Sequence, residues 1–537
     1  MHVSVVTNHA LVDRSEVTTW IEPRDDLIVE AALLDDERQS ARESVQQFVF
    51  IARNGPFDHW RRVVTVAPPT DGSGRVAITE TIEHHLAVPV WHPLFAIPIR
   101  RHLRRPPGSR PAHPWWSPPD ALSPRAATVL GLLCVFALVG GYLGTLITQT
   151  LTYAAGAFDA TTADQGMLLA GVRVGVLLSL VIVATADRRG RRAILAFALV
   201  AGCSVTALGA LAPGMVALGA TQTFARAFST VVALVIAIIA VEEMPAGARA
   251  FAVSVVTLTA GLGAGLCVLN LLYIDLADWA WRLAYLLPLL FIPVCWRLLR
   301  QMPETFRFEI HEQSIREAER SARHTPADRS TTPSARVRID RRRFTLLACA
   351  AFCWSMFIAP AAQFLNEFLR TERGFSGAGI ALFVLATNTP GSIGIVLGGR
   401  LAERYGRRVI GALGVTGGVI FTVMAYLSWG WPLWLASMIA AVVGAIAVPA
   451  LAVYGPELFP TELRGRANGG LQVVGVAGSS AGLLCAGWLA DYVGGLGQAI
   501  ALLAVGPAIL VILVLSMFPE TARRELEDLN PDPGGAA

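Results

Sequence analysis

From about residue 126 to about residue 520 the chain alternates between long uncharged apolar runs and short polar connections. Twelve runs can be read, at about 126–149, 166–186, 192–212, 215–240, 250–272, 282–300, 344–366, 377–399, 408–428, 431–456, 469–490 and 496–518. Each is close to the roughly 20 residues that a helix needs to cross a hydrocarbon layer, where the backbone must satisfy its own hydrogen bonds. The runs fall into two groups of six, at 126–300 and 344–520, separated by a polar stretch at 301–343 that carries ten arginines. The pattern predicts an all-α membrane protein of twelve transmembrane helices in two six-helix bundles, with a central loop between them and a tail at 521–537.

The first 105 residues break this pattern. No run there is long enough to span a bilayer, and the start lacks the apolar core of a secretory signal. The segments "SVQQFVFIA", "WRRVVTVAP" and "RVAITETIEH" alternate β-branched and polar residues and are separated by "RNGP" and "PPTDGSG", so they read as strands joined by turns. With "LAVPVWHPLFAIPIRRHLRR" as a closing helix, a small α+β domain is expected at 1–105, followed by a stiff Pro-rich linker at 106–125.

Composition agrees: 54% of the residues are hydrophobic and only 16% are charged, which excludes an ordinary soluble enzyme. Every basic residue is arginine. Arginines cluster after the second and eighth runs and in the central stretch, so the positive-inside rule places those loops and both termini in the cytoplasm. The opposite connections carry mostly acids, including Asp159, Asp164, Asp275, Asp278 and Asp491. A net charge of +4 distributed this way implies a lipid bilayer as partner, not nucleic acid. The seven cysteines lie in apolar runs without metal or disulfide spacing, and all ten histidines lie outside them. No metal, cofactor or catalytic constellation is expected, and the chain is not read as an enzyme.

The loop after the second run, "VATADRRGRR", is repeated after the eighth as "GGRLAERYGRR". An acid, a tight glycine turn and clustered arginines at the same place in each half form a charge clamp able to hold helices in one gate state. On these residues the chain resembles the major facilitator superfamily over about 126–529. The family's loop motif falls on Asp187, Arg188, Gly190, Arg191 and Arg192, and its second copy on Gly399, Glu403, Arg404, Gly406, Arg407 and Arg408, with Val183 standing where the first copy normally has glycine. "YGPELFPTELRGRA" and "FPETARRELEDL" are similar to the sugar porter and metabolite symporter branches, with weaker first-half counterparts in "VEEMPAGARA" and "MPET". The resemblance implies that Glu242, Arg249, Glu457, Arg464 and Glu520 take part in charge pairs on the cytoplasmic side. It also implies a secondary transporter working by alternating access. Hexose is disfavoured, because the glutamine pair that sugar porters carry in the seventh span is reduced to Gln363, and Ala452 replaces their tryptophan before Tyr454.

Ionisable groups inside a span are costly and mark function by default. Arg173 in the second run and Arg226 in the fourth are such groups, with Gln222 one turn before Arg226. Tyr142, Trp354, Gln363 and Asn388, with Asn366, are midplane polar or aromatic residues that can complete a central site. Two arginines without a nearby acid favour a carboxylate-bearing solute. Gly261, Gly263 and Gly265 are expected to serve close helix packing. The expected protein is therefore a monomeric transporter of a small organic solute in the cytoplasmic membrane, with protons as a candidate coupling ion. Its rivals are an exporter of hydrophobic compounds and a non-transporting sensor or scaffold working through the first domain.

Overall fold

Alternating burial along the amino-terminal segments builds a curved antiparallel sheet. The computed structural model describes residues 3–32, 46–67, 75–107, 109, 114, 116–118, 120–183, 190–245, 248–303, 340–452, 454, 458–459 and 461–520. Its strands are β1 (Ser4–Asp13), β2 (Val29–Ala32), β3 (Gln46–Asn54), β4 (Phe57–Ala67) and β5 (Arg75–Leu86), in the order β1-β5-β4-β3-β2. β3, β4 and β5 coincide with the expected strands. β1 and β2 lie outside them, because β1 buries only Val6 and Val12 and β2 is four residues long with a buried glutamate in it.

A short helix, α1 (Val17–Ile21), follows β1, and α2 (His92–Leu103) lies across the sheet. Ile99 and Leu103 of α2 pack with Val6, Phe57, Trp60 and Ile82 into one apolar core. Beside this core the sheet buries a charge network. Arg62, 1% exposed, donates to both oxygens of Glu30 and to Glu80 Oε1, and its guanidinium also reaches the carbonyls of Trp20 and Glu22. Trp60 Nε1 and Asn8 Nδ2 donate to the two glutamates, so the buried carboxylates do not lie unpartnered.

Among the described residues, twelve helices are long and apolar enough to cross a membrane. Spans 1 to 6 are Pro124–Ala157, Thr162–Val183, Arg191–Leu211, Met215–Glu243, Phe251–Leu276 and Trp281–Leu299. Spans 7 to 12 are Arg341–Glu372, Gly377–Ala402, Arg407–Leu427, Trp431–Ala452, Arg466–Val493 and Leu496–Met517. The halves repeat one packing scheme: span 1 on 5, 2 on 4 and 3 on 4 in the first bundle correspond to 7 on 11, 8 on 10 and 9 on 10 in the second. Small residues make this contact close. A side chain on Gly263 would drive into the Leu138 carbonyl of span 1, and one on Gly482 into the Met356 carbonyl of span 7. Of the three glycines expected to pack closely in span 5, only Gly263 does so. Gly261 faces open space, and Gly265 has only the tip of Leu385, at 3.9 Å, nearby.

The sheet domain is attached to the first bundle near the start of span 1. Thr128 Oγ1 donates to the Ala87 carbonyl at 2.9 Å, and Trp91 Nε1 donates to the Gly131 carbonyl at 2.9 Å.

Candidate functional site

At the bundle ends nearest the sheet domain, the repeated loop motifs terminate at helix starts. Gly190 has φ +87° and caps span 3, and Gly406 has φ +96° and caps span 9, a backbone region that glycine adopts without penalty. In the first half Arg191 Nε lies 2.7 Å from Glu242 Oε2, joining spans 3 and 4. In the second, the Glu520 carboxylate accepts from the backbone N–H groups of Arg407 at 3.0 Å and Arg408 at 3.2 Å. A negative group there satisfies orphan helix donors and complements the helix dipole. Tyr454 Oη donates to the Pro519 carbonyl at 3.0 Å, bringing the ends of spans 10 and 12 together. Arg249 Nε reaches the Met244 carbonyl, Arg192 and Arg408 are partly buried, and Arg404 is exposed with its guanidinium beside the Tyr405 ring. Asp187, Arg188 and Glu457 lie outside the described residues, as do the side chains of Glu403 and Arg464.

At the opposite ends the bundles meet. Gly166 of span 2 packs on the Leu483 carbonyl and Gly487 of span 11, and Ser480 Oγ donates to the Ala170 carbonyl at 3.3 Å. Asn366 Nδ2 of span 7 donates to Gln149 Oε1 of span 1 at 2.9 Å, and Thr148 Oγ1 donates to Gln363 Oε1 at 3.3 Å. Arg370 Nη1 lies 2.8 Å from Asp275 Oδ1, and Asp275 also accepts from the N–H of Gly377. Glu367 is closed into this seam at 7% exposure, facing Thr152 and Gln165 of the first bundle, and its Oε2 has no donor among the described residues. Span 7 loosens there into a π-turn at Phe368–Glu372.

Between these ends each bundle holds a cavity. In the first, about 430 Å³ is enclosed by spans 1, 4 and 5 and is edged by Arg226, Ser229, Thr230 and Thr257. Arg226 Nη1 donates to the Gly144 carbonyl at 2.8 Å, and its Nε has no partner among the described residues. Arg173 lies midway along span 2, close enough for its charge to act on that of Arg226, and neither arginine forms an ion pair among the described residues. Spans 2 and 4 touch at this level, since a side chain on Gly175 would meet the Thr223 carbonyl and Arg226 Cβ. In the second bundle a cavity of about 450 Å³ is lined by Trp354, Phe368, Thr387, Asn388 and Tyr426, among others.

The sequence-selected residues therefore separate. Arg226 edges one cavity, and Trp354 and Asn388 share the other. Gln363 lies in the seam. Tyr142 is fully buried, donating to the Ala284 carbonyl and accepting from Asn270, so it fastens spans 1, 5 and 6. Gln222, 2% exposed, lies with its Nε2 against Gly209, which Tyr285 also packs against. Neither lines either cavity. Glu367 and the seam amides Gln149 and Gln165 were not among the selected residues. Their signal was an acid and amides at span ends, which is also what an ordinary solvated loop edge contains.

The Major Facilitator Superfamily family model matches residues 129–389 and 344–534, which cover both bundles. The chain belongs to the major facilitator superfamily. This facilitator is 26% identical over 365 residues to the cis,cis-muconate transport protein of Acinetobacter baylyi, a match spanning 66% of this chain and 85% of the other. Its fold is similar to the inward-open xylose transporter of E. coli, with TM-score 0.60 and 16% identity over 75% of this chain and 98% of that one. It is also similar to an inward-facing bacterial homologue of the human lysosomal transporter Spinster, with TM-score 0.59 and 15% identity over 73% and 96%. A multi-pass facilitator built for transport is thus the frame in which the two cavities and the seam are to be understood.

Proposed function

We propose that this facilitator is a secondary transporter that carries a small carboxylate-bearing organic solute across the cytoplasmic membrane by alternating access of its two bundles. The observation that carries the reading is Arg226, a guanidinium at mid-span on the edge of a cavity, with Arg173 near it and no ion-pair partner for either among the described residues. A half-buried cation at mid-span without a counter-charge is costly, and an incoming carboxylate supplies that counter-charge with bidentate geometry. Muconate, named in the 26%-identical relative, is itself a dicarboxylate, which supports the solute class.

The sheet domain and the arginine-rich loops are assigned to the cytoplasm by the charge bias, so the closed seam faces outward and the cavities belong to an inward-facing state. Protons are the proposed coupling ion. With the seam closed over Glu367, one of its oxygens has no donor among the described residues, and a bound proton removes the cost of a buried carboxylate charge.

The test is a thermal-shift and vesicle-uptake series with dicarboxylates, monocarboxylates, sugars and drugs, at two pH values, on the unsubstituted protein, Arg226→Ala and Arg226→Lys. A carboxylate should stabilise and be taken up, and losing one charged hydrogen bond should weaken it roughly tenfold to a hundredfold in Arg226→Ala, with partial recovery in Arg226→Lys. A drug shift insensitive to Arg226→Ala would point instead to export of hydrophobic compounds. No shift from any class would move the working part to the sheet domain, and uptake unchanged by pH would remove proton coupling.

A further inference from the structure

A third cavity, of about 470 Å³, lies where the sheet domain meets spans 1 and 5. Its membrane walls run from Ala127 to Cys134 on span 1 and from Phe251 to Leu262 on span 5, lengths of about 10 and 16 Å at 1.5 Å per residue. It therefore extends from the membrane edge to roughly half the depth of the hydrocarbon. The sheet domain and the linker after it close the membrane-edge end with Phe57, Trp91, Phe95 and Trp116, and apart from Asp26, Ser117 and Thr259 the lining is apolar. Its volume is in the range of roughly 300–1,000 Å³ typical of ligand sites.

This cavity is not the one that holds Arg226. On span 5, Val253, Val256, Thr257 and Ala260 face the Arg226 cavity, whereas Val255, Leu258, Thr259 and Leu262 face this one. Leu258 is 66% exposed and Leu262 is 54% exposed, so the cavity continues onto the lipid-facing stripe of the helix. On the domain side, α2 turns an apolar and then a basic face outward: Leu94 and Ile97 are exposed at 66% and 75%, and Arg101 and Arg104 follow on the same side. That order, apolar residues and then arginines on one exposed stripe beside a membrane helix, fits acyl chain and phosphate in turn.

We propose that this cavity binds one acyl chain of an anionic phospholipid, whose headgroup phosphate meets Arg101 of α2 and Arg104 just after it. A lipid seated there fills the space between the sheet domain and the span 1–5 wall, making attachment of the domain dependent on the membrane's anionic lipid. The site is independent of the solute carried, and its test reads binding, not transport.

The full-length protein is reconstituted into vesicles of equal parts phosphatidylglycerol and phosphatidylcholine, extracted in mild detergent and weighed intact by native mass spectrometry. One phosphatidylglycerol per chain is expected to remain bound. Val255→Trp places an indole in the cavity and should reduce retention about fourfold for each methylene denied burial. Leu269→Trp, on the lipid-facing surface beyond the cavity, should leave it unchanged. Arg101→Gln with Arg104→Gln, exposed changes that spare the core, should abolish the preference for phosphatidylglycerol. The proposal is overturned if no lipid is retained, if Val255→Trp retains it equally, if phosphatidylcholine is held as well as phosphatidylglycerol by the unsubstituted protein, or if an apolar small molecule occupies the site instead.

Discussion

His84 packs its ring against both Phe57 and Trp60, 6% exposed, and its Nδ1 has no partner among the described residues. Burial lowers its pKa from 6.5 to about 4, helped by the nearby His92 and His85. Because the folded value is depressed, the unfolded chain binds the extra proton. The contribution of His84 to stability is then complete above pH 6.5 and is lost progressively as pH falls from 6.5 towards 4. Asp26 acts in the same sense at lower pH: against the effect of burial, its His102 hydrogen bond and the Arg24 guanidinium hold its carboxyl below the usual range. Amide exchange in β4 and β5, corrected for its intrinsic pH dependence, should therefore accelerate through that window. In His84→Leu the acceleration between pH 6.5 and 4 should be absent, and an unchanged profile would assign it to another group. At this scale the sequence was partly legible. Arg173 and Arg226 were conspicuous because a charge inside an apolar run has few structural explanations. Tyr142 and Gln222 were also selected, yet the Tyr142 hydroxyl is directed into a helix contact that a linear pattern does not encode, and Gln222 is buried beside Gly209.

Among the elements, span 9 depends on a residue more than a hundred positions away. Its first N–H groups are satisfied by Glu520, and Gly406 is needed there because its φ of +96° is a backbone region that a residue with a Cβ rarely adopts. Glu520→Ala should expose those donors and remove a favourable dipole contact worth about 1 kcal/mol, which corresponds to roughly fivefold faster exchange at the Arg407 and Arg408 amides. Unchanged exchange would mean that water caps the helix equally well. The spans themselves were readable from run length, since an apolar segment of that size has few other uses. Their outer ends were less so. Span 1 continues to Ala157, past the expected end near 149, because Thr150 and Thr152 are buried in the protein interior instead of marking a loop.

Over the whole molecule, the bundles meet along their seam. Gly166 and Gly487 allow spans 2 and 11 to touch, and a side chain on Gly166 would lie 2.7 Å from the Leu483 carbonyl. Gly166→Val should prop the seam open and shift the balance between states by roughly tenfold, the scale of an overpacking strain. Alkylation of a Thr148→Cys reporter from the far side should rise accordingly. Equal labelling with and without Gly166→Val would show that the bundles do not separate along this line. The sheet domain bears on the same motion in another way. Its bonds from Ala87 and Trp91 hold it to span 1, so a rocking first bundle carries the sheet with it like the pointer of a balance. Under the proposed alternating access the pointer would amplify a small tilt in the membrane into a larger displacement in water, where a pair of fluorophores on β3 and the start of span 9 could follow the transport cycle one molecule at a time.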